Sequence, residues 1–179
     1  TMGPLDMLLL LIAVGVIVLL LIQRFIRALI TLIGAYIGTL ISALLYQDVA
    51  FRLKAIGHGA AWFEGAMFLA LFFLIFIIFY FASRAAYPDT SLPKLGFLDN
   101  LLGGVLGVAV AAILMIVIYN GLGVMVAQNW EPYPAYVTVV NLRGGIQLGG
   151  LIRQLTQFYA LAFYPFFYGV GFPRVLQPF

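Results

Sequence analysis

The chain has no cysteine, a single histidine and very little charge: only 8% of its 179 residues are Asp, Glu, Lys or Arg. Without cysteine there are no disulfides, no thiolate nucleophile and no Cys-ligated zinc or iron–sulfur centre. One histidine excludes a bis-histidine haem or a multi-histidine zinc site within one chain. No Ser/His/Asp or Cys/His arrangement can be assembled, and paired carboxylates inside an apolar segment are missing, so the chemistry of a hydrolase or of a proton-relay transporter lacks its usual parts. Net charge is +3, from nine Lys+Arg against six Asp+Glu spread thinly, with no basic block to hold a nucleic acid.

What is abundant is apolar sequence. Hydrophobic residues make up 65% and the mean hydropathy is +1.14. A soluble domain carries about 25% charged residues, so this chain reads as an integral membrane protein. Its apolar runs are continuous rather than alternating, which predicts helical spans and not barrel strands.

Four spans are predicted, at about 4–22, 28–46, 65–82 and 101–127, within a single membrane domain covering 1–179. Pro4 and Asp6 suit the start of a helix. The first run opens on Asp6 and ends on Gln23-Arg24, not on a small-residue cleavage site, so it is read as a retained span and not a signal peptide. Gln23, Arg24 and Arg27 separate it from the second run. An unbroken helix would carry both arginines at its middle, where each costs about 2.5–3.5 kcal/mol to insert, so a tight antiparallel hairpin is expected. Arg24 and Arg27 read as positive-inside determinants, but Arg143, Arg153 and Arg174 reverse the count and leave orientation open.

The second span carries Gly34, Gly38 and Ser42 at four-residue spacing, and the fourth carries Gly103, Gly107 and Ala111. Such small-residue ridges let helix backbones approach closely, and the two ridges are expected to pack on each other. Gly103, Gly104 and Gly107 follow a loop rather than a strand and lack a Lys-Ser/Thr, so they are not a phosphate loop. Asp6, Asp99 and Asn100 read as helix caps, worth about 1 kcal/mol each. His58, between glycines in a polar loop, is a weak candidate for a pigment ligand; no cofactor is otherwise implied. Phe51, Leu53 and Ile56 suggest a short interfacial segment between the second and third spans.

The tail, 129–179, changes character. Leu151, Ile152, Leu155, Phe158, Tyr159, Ala162, Phe163 and Phe166 recur at helical spacing, with Arg153, Gln154 and Gln157 opposite. That describes an amphipathic helix on the membrane surface or against a partner, with a fifth span as the alternative.

Asp6, the arginines after the first span and Leu98-Asp99-Asn100-Leu101-Leu102-Gly103-Gly104-Val105-Leu106-Gly107 at the fourth span together resemble the colicin V production protein (CvpA) family, over roughly residues 3–165. The core of the likeness is Leu98, Asp99, Gly103 and Gly107. The family usually has glycine beside arginine in the first hairpin and a basic residue after the aspartate; here those places read Gln23-Arg24-Phe25-Ile26-Arg27 and Asn100. Val108-Ala109 also replaces an Arg-Gly further into the fourth span. The resemblance implies a small inner-membrane protein linked to peptide-toxin export and envelope robustness. It brings no reaction and no cofactor. The expectation is a non-enzymatic scaffold or accessory factor whose partners are the lipid bilayer and other membrane subunits or further copies of itself. The alternative is an accessory transmembrane subunit of a larger bioenergetic or photosynthetic complex.

Overall fold

The computed structural model describes residues 2–57, 60–88 and 96–177. Among them there is no strand. The elements are α1 (Pro4–Arg52), α2 (Lys54–Gly57), α3 (Ala61–Ala86), α4 (Phe97–Met125), α5 (Tyr133–Gly144), α6 (Gly149–Leu161), α7 (Tyr164–Phe167) and a closing 3-10 turn, Arg174–Leu176. Three of these, α1, α3 and α4, are long and apolar enough to cross a membrane.

α1 spans 49 residues but is not one rod. Arg24 leaves helical geometry at φ 69°, ψ 177°, a region that is essentially glycine-only and costs about 1–3 kcal/mol for other residues. The contacts on either side of it show the chain folding back. Leu5 and Leu9 pack with Ile116 and Tyr119 near the end of α4, while the Phe25 N–H donates to Asp99 near its start. The limb 4–23 therefore runs antiparallel to α4. The limb 25–52 runs antiparallel to α3: Arg27 donates to the Tyr87 carbonyl (Nη2, 2.8 Å), and the Tyr46 and Phe68 rings lie 5.8 Å apart. α3 and α4 are antiparallel in turn, Gly65 lying beside Gly121 and Met125. The result is an up-down-up-down bundle with the Arg24 turn, the end of α3 and the start of α4 at one end.

α4 is the central helix, with half of its apolar window buried, against 17% for α3. α3 puts Phe68 and Phe72 into the core and leaves Leu74, Ile77, Ile78 and Phe81 facing out. That spacing is one helical stripe, the face a membrane helix offers to lipid. Buried hydroxyls in the bundle are satisfied locally. Thr31 and Thr39 donate to carbonyls four residues earlier (2.8 Å each), and Ser42 donates to the Gly38 carbonyl. Such bonds keep polar groups paired without water.

The small-residue ridges do not meet each other as the sequence suggests. Gly34 and Gly38 face Phe79 and Phe72 of α3, the nearest ring atom to a Gly38 Cβ being 3.4 Å away. Gly103 and Gly107 face residues 17–24 of the first limb. The physical reason is volume: the phenylalanines of α3 need recesses, which the second limb supplies, whereas α4 uses its glycines to reach a neighbour's backbone. Ser42 and Ala111 are both buried.

The tail is folded onto the bundle. Tyr159 donates to Thr39 Oγ1 (3.0 Å) and the Ala162 carbonyl accepts from Tyr36 (2.8 Å), both about half-way along the limb 25–52. Tyr36 also stacks on Phe163 at 4.6 Å. Val175 and Leu176 are buried in the main core. Ile152, Thr156 and Phe163 form the inward face of this segment, while Leu151, Phe158 and Phe166 remain exposed. The amphipathic period thus docks against the chain's own bundle, where the sequence suggested the membrane surface or a partner. Phe51 and Ile56, read as interfacial, are exposed.

Candidate functional site

Two aspartates tie the fold together, one at each end. Asp6 is fully buried and sits in the first turn of α1, where it accepts from the Gly3 N–H (2.9 Å). It also accepts from the N–H groups of Gln147 and Leu148, at 3.0 and 3.1 Å. The same carboxylate therefore caps α1 and fixes the start of α6, 141 and 142 residues further along the chain. Charge-assisted bonds of this kind are about twice as strong as neutral ones.

Asp99, 2% exposed, does the corresponding work at the other end. The residue preceding α4 in cap position is Gly96, and Asp99 lies within the first turn. Its Oδ1 reaches across to the Phe25 N–H at 3.0 Å. Phe25 is the first residue after the Arg24 break, so its N–H is one of the orphan donors that open the second limb. Asp99 caps that limb from a different helix. Gln23 and Arg27 complete this end: Gln23 Nε2 donates to the Tyr80 hydroxyl (2.8 Å), and Arg27 clamps the last turn of α3 through Tyr87.

Asn100 does not share the capping role. Its side-chain oxygen is buried without a hydrogen-bond partner among the described residues, because one step along a helix turns the side chain by about 100°. Asn120, 2% exposed, likewise has an unpartnered amide nitrogen among them. His58, the weak pigment-ligand candidate, lies outside the described residues. No group of three or more His, Cys, Asp or Glu able to hold a metal occurs among the described residues.

Gly103 stands beside Asp99 in this turn. A Cβ there would meet the Leu20 carbonyl oxygen at 2.6 Å and the Arg24 carbonyl carbon at 2.9 Å. At Gly107 it would meet the Ile17 Cα at 3.1 Å. Aspartate and glycines four and eight residues on thus form one device: the carboxylate holds the turn and the glycines admit the limb that leads into it. This is the stretch that carries the family likeness, and the colicin V production protein family model matches residues 5–143. The chain belongs to that family. The match takes in the whole bundle and α5, and it stops short of the resemblance read from sequence, which extended to about 165. No curated protein and no solved structure matches the chain. As a colicin V production family protein with three long apolar helices, it is a membrane protein.

Two features of the site were missed from sequence. The Asp6 bridge to Gln147 and Leu148 carries no local signal, since the partners are backbone groups of a distant loop. The stacking of Arg143 on Tyr119, with the guanidinium carbon 4.5 Å from the ring centroid, was equally invisible. Only an arginine and a tyrosine 24 positions apart could have hinted at it.

Proposed function

We propose that this colicin V production family protein crosses the bacterial inner membrane four times and works without catalysis, as a packing scaffold or accessory factor in envelope export or stress tolerance. The observation that carries this reading is how its polar groups are used. Asp6 and Asp99 bind backbone N–H groups, and Thr31, Thr39 and Ser42 bind carbonyls of their own helix. Each serves the architecture of the bundle. The four crossings follow from counting the two limbs of α1 separately, each being about 30–40 Å long at 1.5 Å per residue.

Around this bundle the chain keeps large exposed apolar side chains, on α3 and also on the docked tail, where Phe158 and Leu161 are 71% and 67% exposed. In lipid, association with a second membrane helix proceeds through packing of such surfaces. Purification of the full chain from native membranes in a mild detergent is expected to recover it in a defined stoichiometric assembly, with copies of itself or with other membrane subunits. Recovery as a lone monomer would contradict the scaffold role. Stoichiometric recovery with redox or pigment-bearing subunits would instead favour the accessory-subunit version.

A further inference from the structure

Residues 149–177 leave the end of the bundle where the chain starts, and they come back to it. Gly149 opens α6 beside Tyr119 of α4, and Ile152 packs with Leu5 and Leu9 of the first limb. At the other end of the segment, Arg174 lines a small cavity with Ala61 and Glu64 at the start of α3 and Val124 at the end of α4. Between these two points the segment goes deep. Tyr159 donates to Thr39 Oγ1 at 3.0 Å, and Thr39 stands at the middle of the limb 25–52. Phe163 stacks on Tyr36, which lies nearer still to the Arg24 turn.

From this course we infer that residues 149–177 form a re-entrant hairpin, which enters the membrane from the side where the chain starts, turns at its middle and leaves by the same side, with its outward face in the hydrocarbon of one leaflet. The inference rests on the reading that the limb 25–52 crosses the membrane. The sequence fits the path. From Phe158 to Phe172 there is no charged residue and no side-chain amide, while Arg153, Gln154 and Gln157 precede the run and Arg174 and Gln177 follow it. The run is shorter than the roughly 20 residues that a full crossing needs. α6 has 13 residues, which at 1.5 Å per residue is about 20 Å, enough to pass the middle of a core about 30 Å thick. The outward side chains near the tip, Phe158, Leu161 and Tyr164, are exposed and carry no charge.

The backbone at the tip is provided for accordingly. A helix that ends inside a bilayer leaves carbonyls that no water can reach. Here the Tyr36 hydroxyl donates to the Ala162 carbonyl at 2.8 Å, and the turn closes on itself: Ala162, Phe163 and Phe166 donate to the carbonyls of Tyr159, Ala160 and Phe163 at 3.0–3.1 Å. Pro165 has no N–H to satisfy. On a helix lying at the membrane surface, water would meet these carbonyls and a tyrosine half-way along the limb would not be needed. Aromatic contacts hold the two arms together, Phe172 lying 6.2 Å from Tyr164 and 5.5 Å from Phe167. The returning arm is anchored by Val175 and Leu176 in the main core.

The test places a nitroxide on single cysteines in the full chain, reconstituted in phosphatidylcholine bilayers. It measures collision with oxygen, which concentrates in hydrocarbon, against collision with a water-soluble nickel chelate. The variants are Leu151→Cys, Phe158→Cys, Leu161→Cys and Val170→Cys along the hairpin, with Ile33→Cys on the limb 25–52 as the reference for a crossing. All five positions are exposed, so the substitutions leave the core packing in place. The oxygen-to-nickel ratio is expected to rise severalfold from 151 to 161, to match there the value at 33, and to fall again at 170. In oriented vesicles, Gln177→Cys is expected to react with an impermeant thiol reagent from the same side as Met2→Cys. A ratio that stays flat and low from 151 to 161 beside a high value at 33 describes a surface helix and overturns the hairpin while the crossing stands. Reaction of Gln177→Cys from the side opposite to Met2→Cys describes a full crossing and also overturns it. A low ratio at 33 itself removes the crossing of the limb 25–52, and the hairpin falls with it.

Discussion

Gly103→Leu is expected to abolish the folded, monodisperse state in detergent, whereas Gly15→Ala is expected to leave it unchanged. The difference lies in what a side chain would touch. At Gly103 even a methyl group would stand 2.6 Å from a backbone oxygen and 2.9 Å from a backbone carbon of the first limb. Backbone atoms cannot rotate away, so the limb itself must move. At Gly15 nothing lies within 4 Å. Overpacking of a well-packed interior costs about 1–3 kcal/mol when side chains can adjust, and a contact with backbone at a turn has less room to adjust. Gly107→Ala, with Ile17 Cα at 3.1 Å and Leu20 Cβ at 3.3 Å, should fall between the two. Thermal denaturation followed by size-exclusion chromatography reads the order. A Gly103→Leu chain as stable as the Gly15→Ala chain would show that close approach at this turn is not needed.

Asp99→Ala should lower stability by about 1–3 kcal/mol, the cost of leaving a buried N–H without its acceptor, and Asp99→Asn should recover part of that loss because the amide keeps a carbonyl oxygen. The carboxylate is nearly inaccessible and its oxygen accepts from Phe25 at the point where the chain reverses. The neighbouring strain predicts a change of opposite sign. Arg24 holds φ 69°, ψ 177°, so Arg24→Gly should raise stability, by an amount within the about 1–3 kcal/mol stored in such a conformation. Both effects are read as shifts of the thermal midpoint in the same detergent. If Asp99→Ala melts with the unsubstituted chain, the cap across the turn is not what holds it.

The apolar runs and the interruption at Gln23–Arg27 were legible because membrane insertion penalises a central arginine so heavily that only a reversal is economical. Arg24 itself was readable as a break but not as the strained residue, since the resemblance places a glycine near it and the sequence there offers none. The ridges at Gly34 and Gly103 were readable as sites of close approach. Which neighbour each approaches was not, because a glycine records that something comes near and not what. Asp99 read as a cap from its position at a helix start, but the N–H it satisfies lies 74 residues away, and no local pattern carries that distance. The tail's helical period at 149–166 was visible, while its docking depended on Tyr159 and Tyr36 finding Thr39 and the Ala162 carbonyl.

The antiparallel arrangement of the bundle depends on the reversal at Arg24. A straight helix of 49 residues would be about 74 Å long, more than twice the thickness of the hydrocarbon core, and would place its two ends on opposite sides of the membrane. The most direct measurement is side-specific thiol labelling of single-cysteine variants, which is free of background because the chain has no cysteine. Met2, Asp48 and Gln128 are exposed at one end of the bundle and Tyr87 at the other. Met2→Cys, Asp48→Cys and Gln128→Cys should react from the same side of the membrane, and Tyr87→Cys from the opposite side. Labelling of Met2→Cys and Asp48→Cys from opposite sides would contradict the hairpin and, with it, the proposal that the chain crosses the membrane four times.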